Sequence, residues 1–283
     1  MKAMTRPFKS EPVIDERISE ATLRAYNVGF DQNKFRLQPL LDIVMDVVPE
    51  FAFGYYEAKN IPYTAIVNKL REAAKTIYTT DKYKRRGEFG EIVLHLLLRD
   101  FCNTTPLVSK IYFKDTNNVA VHGFDGVHIS VEDNVKKLWL GESKFYGNGM
   151  EGINALLKDV KEHFEEDYLR AEFNLISRRI HNETPESEYW KQLMHRHKRL
   201  DEIFQSVCIP LVCTYTSDIF KSYTDQTKEY LEAFEKECRG LKAEFDKKNI
   251  HTNLEIILML LPVPNKDELN TEFHKRLSSA QNI

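Results

Sequence analysis

Two segments of the chain alternate apolar and polar residues as half-buried β-strands do, and each places charge in its apolar row. In 119–131 (VAVHGFDGVHISV), Asp125 stands among alternate positions that are otherwise valine, isoleucine or glycine. In 137–146 (KLWLGESKFY), Glu142 and Lys144 continue a row that begins with two leucines. Because a buried carboxylate without compensation destabilises a fold, these charges indicate a functional site.

The polar residues between the two segments predict how the strands pair. Asp133 and Asn134 are good turn formers, and a two-residue turn there predicts a hairpin in which Asp125 lies opposite Glu142. Directly opposed residues have Cβ atoms about 5 Å apart, so the two carboxylates would repel each other. A divalent cation between them removes that repulsion. Lys144 lies about 7 Å further along the same face, where its side chain can reach a water bound to the metal.

The remaining pattern predicts a mixed α/β fold. Helical spacing of apolar residues occurs in 33–53, 64–78, 88–101, 150–177, 186–205, 224–247 and after Pro264, and strand-like runs occur in 107–113, 207–215 and 254–261. No repeat and no linker rich in Pro, Ser or Gly divides the chain. The simplest division is a helical N-terminal extension, 1–80, joined to one α/β domain, 81–283, as a continuous unit.

The helix predicted at 88–101 has apolar side chains around most of its circumference, which indicates a largely buried helix. One narrow polar stripe remains, formed by Glu88, Glu91, His95 and Arg99. This helix directly precedes the charged strands, so it could supply a further carboxylate. Glu91 lies nearer the apolar edge of the stripe and is favoured over Glu88; a solvated stripe on an amphipathic helix is the alternative.

Charge and cysteine content limit the classes of function. A net charge of −3 over 283 residues excludes a generally basic nucleic-acid-binding protein, so DNA contacts must come from local patches or from a partner. The four cysteines show no CxxC spacing, which favours a reduced, intracellular protein. No apolar run is long enough for a signal peptide or a membrane span, so we expect a soluble, cytoplasmic protein without membrane contact.

Two basic clusters are weaker candidates for binding. Lys82, Lys84, Arg85 and Arg86 precede the helix at 88–101 and could hold DNA phosphates, or could form a solubilising loop. The run 195–199 (HRHKR) is better explained as a solvated basic helix face than as a metal or nucleic-acid site.

Two histidines and two cysteines lie near the predicted strands without belonging to the site. His122 and His128 alternate with Asp125 and therefore project to the opposite face of the strand. Cys208 and Cys213 fall in an apolar strand and are expected in the core.

The order of a helix with Glu91, a strand with Asp125 and a strand with Glu142-Ser143-Lys144 resembles the PD-(D/E)xK nuclease superfamily. The resemblance implies a restriction-endonuclease-like fold, a mixed sheet flanked by helices. It also implies that Asp125 and Glu142 bind Mg²⁺, for which Mn²⁺ can substitute, and that Lys144 serves the attacking water. The backbone carbonyl of Ser143 would be a further oxygen ligand. Phe124 stands where the motif has proline.

Three motifs, RGEFGE, GFDGVHI and LGESKFY, are more specifically similar to the HamA family. That resemblance implies the nuclease subunit of the Hachiman anti-phage defence system. It further implies an endonuclease that nicks or degrades DNA once activated, in a heterocomplex with a HamB-like helicase in the bacterial cytoplasm.

The residues leave several alternatives open. The chain could be a degenerate, non-catalytic nuclease fold that binds a helicase or nucleic acid, an RNase, or a hydrolase of small phosphoesters. The two strands could instead face the surface, with Glu142 and Lys144 forming an ion pair there. Lys144 could act as a base, which requires a lowered pKa, or only as a stabilising charge, which does not.

Overall fold

The computed structural model describes residues 10–77, 87–109, 123–163, 166–248 and 254–283, and for residues 166 and 167 it describes the backbone only. Seven strands form one mixed sheet. In chain order they are β1 (Asp15–Ser19), β2 (Leu23–Asn27), β5 (Thr105–Ser109), β6 (Gly126–Glu132), β7 (Val135–Tyr146), β8 (Val207–Thr216) and β9 (Glu255–Val263), and a separate small hairpin consists of β3 (Phe30–Asp31) and β4 (Lys34–Phe35).

The order of strands across the sheet is β1-β2-β9-β8-β7-β6-β5. One edge is an antiparallel meander of β5, β6 and β7, whereas β7, β8, β9 and β2 run parallel. β8 is buried along nearly its whole length, as expected for a parallel strand with helices on both faces. Cys208 and Cys213 lie within it and are buried, which confirms their predicted core positions.

Helices cover both faces of the sheet. They are α1 (Leu37–Phe53), α2 (Tyr55–Lys59), α3 (Ile66–Ile77), α4 (Glu88–Phe101), α5 (Gly149–His163), α6 (Glu166–Ser177), α7 (Ser187–Leu193), α8 (Leu200–Phe204), α9 (Ile219–Ser222), α10 (Lys228–Lys247) and α11 (Lys266–Gln281), with a 3-10 turn at Tyr63–Ala65. The core with α1, α3, α4 and α11 contains Trp139 and Phe145 of β7. The core with α5, α6 and α10 contains Leu138 and Leu140 of the same strand.

The hairpin of β6 and β7 has the predicted register. Glu132 pairs with Val135, and Gly126 pairs with Gly141. Asp133 and Asn134 have φ values of 46° and 66°, the left-handed conformation that a two-residue hairpin turn requires and that these residue types tolerate. β6 begins at Gly126, so Asp125 immediately precedes it; positions 110–122 of the predicted strands, including His122, lie outside the described residues.

The predicted mixed α/β fold, with a sheet flanked by helices, is confirmed, and α4 has the predicted bounds. The predicted helix at 186–205 is not continuous, because residues 194–199 separate α7 from α8. α7 buries Trp190 and Leu193, and α8 buries Ile203. The basic run between them has no apolar side chain to bury, and like charges in successive helical turns repel, so it does not extend either helix. The expected basic helix face is therefore an exposed, non-helical turn.

The N-terminal region is more than a helical extension. Its pattern predicts no element before residue 33, but β1 and β2 lie there, and β2 pairs in parallel with β9 at Leu23 and Leu258. The helices α1 and α3 pack in the same core as α4 and α11. The N-terminal residues therefore share both a sheet and a core with the rest of the chain.

A buried polar cluster joins α1 to α4. His95 Nε2 donates a hydrogen bond to Glu50 Oε1 over 3.0 Å, and an Arg99 nitrogen lies 3.8 Å from Glu50 Oε2. Arg99 also donates twice to Asp100, at 2.8 and 2.9 Å. Burial by itself raises the pKa of Glu50, but the hydrogen bond from His95 and the charges of His95 and Arg99 outweigh burial and lower it.

We expect replacement of Glu50 by glutamine to reduce stability in a pH-dependent way. A carboxyl whose pKa is lowered in the folded state stabilises the fold fully above its ordinary pKa of 4.5 and loses that contribution as the pH falls through the lower, native value. Urea unfolding of both proteins between about pH 7 and pH 3 measures the difference. The difference in unfolding free energy between the unmodified protein and Glu50→Gln should become smaller toward low pH. A gap that stays constant would contradict the prediction, and Glu151→Gln, at an exposed position on α5, is the control.

Candidate functional site

Asp125 lies against the backbone of the neighbouring strand. Only 3% of its surface is exposed. Its Oδ2 accepts hydrogen bonds from the backbone nitrogen of Ser143 at 2.8 Å and from Ser143 Oγ at 2.9 Å. The two bonds hold the Asp125 carboxylate beside the Glu142–Ser143–Lys144 segment of β7, as the hairpin register requires.

Glu142 and Lys144 point to the face of the sheet that α5 covers. They alternate along β7, so they share a face with Leu138 and Leu140, which pack in the core that contains α5. Glu142 is 1% exposed, whereas Lys144 is partly exposed. The structure thus brings Asp125, Glu142 and Lys144 together, with the two acids buried and the amine closer to solvent.

Two residues of α5 complete the cluster. His163 Nδ1 donates to Glu142 Oε1 over 2.5 Å, and Lys144 Nζ donates to Asp159 Oδ2. Asp159 and His163 are four residues apart, so they lie on one face of the helix, one turn from each other. The cluster therefore contains three carboxylates and two groups that can be cationic.

The acids raise the pKa of both basic groups. For Lys144, burial lowers the pKa, but the hydrogen bond to Asp159 and the charges of Asp125, Asp159 and Glu142 outweigh it. Burial also lowers the pKa of His163. The hydrogen bond to Glu142 and the charges of the three acids outweigh burial and raise that pKa. Lys144 is therefore protonated at neutral pH in this arrangement.

Asp159 and His163 are not among the site residues that the sequence pattern predicts. The detectable signal was their four-residue spacing on the helix that follows the charged strand, at a position where neighbouring Leu156 and Val160 are buried. Two further residues of α6 lie close by. Tyr168 stacks on the His163 ring with 4.6 Å between centroids and 2° between planes. A Cβ at Gly123 would lie 3.2 Å from Glu172 Oε2, which places buried Glu172 beside the segment that leads to Asp125.

The helix α4 lies on the other face of the sheet. A Cβ at Gly90 would lie 3.5 Å from Ser143 Oγ and 3.5 Å from Phe145 Cβ. The first turn of α4 therefore packs on the face of β7 opposite Glu142 and Lys144. Glu88 and Glu91 are both buried in that turn. The role of Glu91 as a further carboxylate for the metal stays a prediction.

His128 lies apart from the acids. His128 is buried on the α4 side, is hydrogen-bonded to Thr104 Oγ1 over 2.7 Å and meets His95 edge-on, which confirms its predicted separation from the acids. The basic candidates Lys82, Lys84, Arg85 and Arg86 lie outside the described residues.

The donor set suits a hard divalent cation. Among the residues that the structure describes, no three or more His, Cys, Asp or Glu side chains are grouped as a metal cage. Mg²⁺ does not need one, because it commonly binds through one or two carboxylates and completes its shell with waters and substrate phosphate oxygens. Asp125 and Glu142 supply two carboxylates, and the Ser143 carbonyl lies between Glu142 and Lys144 in the same segment. These oxygens fit the predicted Mg²⁺.

Fold and site together define a mixed α/β protein with paired buried acids and an amine on adjacent strands. A family model described as HamA matches residues 6–277. Since the match covers nearly the whole chain, this protein belongs to the HamA family, and membership indicates a component of Hachiman anti-phage defence. A comparison with curated proteins found no match.

In the described part of the chain, every helix is too short or too polar to cross a lipid bilayer.

Proposed function

We propose that this protein is a metal-dependent DNA endonuclease of the PD-(D/E)xK type and the nuclease effector of a Hachiman system. The single observation that carries the proposal is the packing of Asp125, directly before β6, against Ser143 beside Glu142 and Lys144 on the adjacent β7. Burying two carboxylates next to each other is unfavourable for folding alone, which favours a role in binding a cation. HamA family membership supports the defence role.

Asp125, Glu142 and the Ser143 carbonyl would hold Mg²⁺, with Mn²⁺ as a substitute. When bound, such a metal polarises a phosphate oxygen and lowers the pKa of a coordinated water. His163 donates to Glu142 and thereby orients that carboxylate. This is the role that outer residues play in many metal sites.

We assign Lys144 a charge-stabilising role, because its amine is ion-paired with Asp159. In the metal-free chain the surrounding acids raise its pKa, whereas a base would need a lowered pKa with the metal bound. A protonated amine beside the two acids would attract the phosphate and stabilise negative charge that develops on it during hydrolysis. Asp159 would act as a positioning residue, because its ion pair orients the amine.

The overall charge is consistent with a helicase partner. A net charge of −3 provides little general attraction for DNA, so a partner that holds the DNA would raise the local substrate concentration. We therefore propose that cleavage depends on a HamB-like helicase subunit in a heterocomplex.

The test is cleavage by the purified chain, alone and with its helicase partner, of supercoiled plasmid, single-stranded DNA and RNA. We expect nicked or linear plasmid with Mg²⁺ or Mn²⁺ and intact plasmid with EDTA. Cleavage of RNA alone would identify an RNase. Intact substrates under every metal and partner condition, with the heterocomplex formed, would favour the non-catalytic module and contradict the proposal.

A further inference from the structure

An aromatic cleft lies at the β5 edge of the sheet, between α2, β5 and the turn that follows α6. It encloses about 460 Å³, and its lining includes Phe53, Tyr55, Tyr56 and His181. Apolar lining residues include Ile61 and Leu107. Ligand pockets typically measure roughly 300–1,000 Å³, so the cleft is large enough for one or two ring systems.

The rings are already arranged as a stacking surface. Tyr56 and His181 are parallel to within 12°, with 4.8 Å between their centroids, and His181 is exposed. Tyr55 meets Tyr56 edge-on at 5.1 Å, which limits the orientations of both rings. Tyr56 is half-buried, with Lys59 Nζ 5.3 Å from its ring centre, so His181 gives the pair its exposed face. Proteins stack nucleobases on such flat aromatic faces, because every base presents a π-face.

Cations border these rings. Lys69 Nζ lies 4.9 Å from the centre of the Phe53 ring and is paired with Glu57 and Glu72, and exposed Arg179 also lines the cleft. Glu57 is the one carboxylate among the lining residues that the structure describes. Two cations beside aromatic rings match a ligand that combines flat bases with a phosphate backbone.

The helix α6 connects the cleft to the acids. Its residues Tyr168 and Glu172 face His163 and Gly123 respectively, and Gly123 is two residues from Asp125. Arg179 lies in the turn just after α6 ends, and Val108 of the cleft lining pairs with Val127 of β6, two residues from Asp125. A strand that occupies the cleft would therefore lie near the end of β6 at which Asp125 is placed.

We propose that this cleft binds a single-stranded segment of the DNA substrate, with bases stacked on Tyr56 and His181 and phosphates near Lys69 and Arg179. The inference rests on the proposed DNA-cleaving function and adds that the substrate strand is unpaired close to the site of cleavage. DNA that a helicase has separated contains such unpaired strands.

Fluorescence anisotropy tests the cleft without cleavage. The probe is a labelled oligothymidine titrated with the full chain in EDTA, with a duplex of equal length for comparison. Because stacking on an aromatic side chain contributes substantially to each bound base, Tyr56→Ala and His181→Ala should each weaken binding of the single strand about tenfold. Arg179→Ala should weaken it less and reduce its salt dependence.

The chain offers matched controls. Tyr63 is 87% exposed on the neighbouring turn, and Arg178 is exposed beside Arg179, but neither lines the cleft. Tyr63→Ala and Arg178→Ala should bind like the unmodified protein. Equal binding by all five variants, binding of the duplex alone, or no binding by the unmodified chain would each overturn the proposal.

Photocrosslinking covers the case of a variant that does not fold. The unmodified chain is irradiated with an oligonucleotide that carries 5-iodouracil, and the linked peptide is identified by mass spectrometry. Attachment at Tyr55, Tyr56 or His181 supports the cleft, and attachment elsewhere contradicts it. Crosslinking at these rings, together with no cleavage in Mg²⁺ by the heterocomplex, would contradict the proposed nuclease function and leave the cleft assignment standing.

Discussion

Replacing Glu142 by glutamine is expected to reduce the rate of DNA cleavage at least about 100-fold, because the variant loses one of two carboxylate charges that would hold the metal. Glutamine keeps the shape of glutamate and can still accept a hydrogen bond from His163, so the fold should be retained. The measurement is the initial rate of plasmid nicking by the heterocomplex in Mg²⁺, with circular dichroism as the check on folding.

Replacing Lys144 should reduce the rate of DNA cleavage about as much as replacing Glu142. Lys144→Met removes a positive charge near the reacting phosphate and should reduce cleavage about 100-fold or more. Lys136→Met is the matched control, because Lys136 lies on the same face of β7, is also ion-paired, and is far from the acids at the other end of the strand. Lys136→Met should cleave at the normal rate.

Two outcomes would count against the proposed site. One is folded Glu142→Gln and Lys144→Met proteins that cleave as fast as the unmodified chain, which would place the chemistry elsewhere. The other is an equal loss in Lys136→Met, which would indicate a general effect of removing a lysine from β7.

Replacing Arg99 by methionine is expected to lower the free energy of unfolding by about 3–5 kcal/mol, the range for removing one partner of a buried ion pair. Arg99 is 1% exposed and lies against Asp100 and Glu50, so its loss leaves buried carboxylates without this compensation. The measurement is the midpoint of urea unfolding followed by circular dichroism.

An exposed pair provides the contrast for Arg99. Arg239 lies 2.8 Å from Glu20 with about half of each side chain in solvent, so Arg239→Met should leave the midpoint almost unchanged. Equal midpoints for Arg99→Met and the unmodified protein would show that the buried cluster does not stabilise the contact between α1 and α4.

Local patterns predicted the part of the site that belongs to one hairpin. Alternation along the two strands and the turn residues Asp133 and Asn134 specify the register that brings Asp125 beside the Glu142 segment. Both features depend on neighbouring residues, because a two-residue turn requires particular backbone angles and side chains alternate with a period of two. The bounds of α4 were predicted for a similar reason, as its apolar run has clear ends.

Contacts between distant segments were not predictable in the same way. Asp159 and His163 reach the acids only because α5 packs on one particular face of β7. Nothing in the pattern of α5 selects that partner strand, since any apolar face of suitable shape buries a helix equally well. β1 and β2 were missed because short strands at the start of a chain carry too few alternating positions to be recognised.

The sequence by itself determined the mixed α/β class, the hairpin register and the proximity of Asp125, Glu142 and Lys144. Only the tertiary structure decided that Lys144 is paired with Asp159, that Glu142 is bonded to His163, and that Tyr56 and His181 stack into one surface. The physical reason is the separation along the chain over which each interaction acts. Backbone stereochemistry acts between neighbours in the chain, whereas helix packing and ring stacking depend on how the whole core closes.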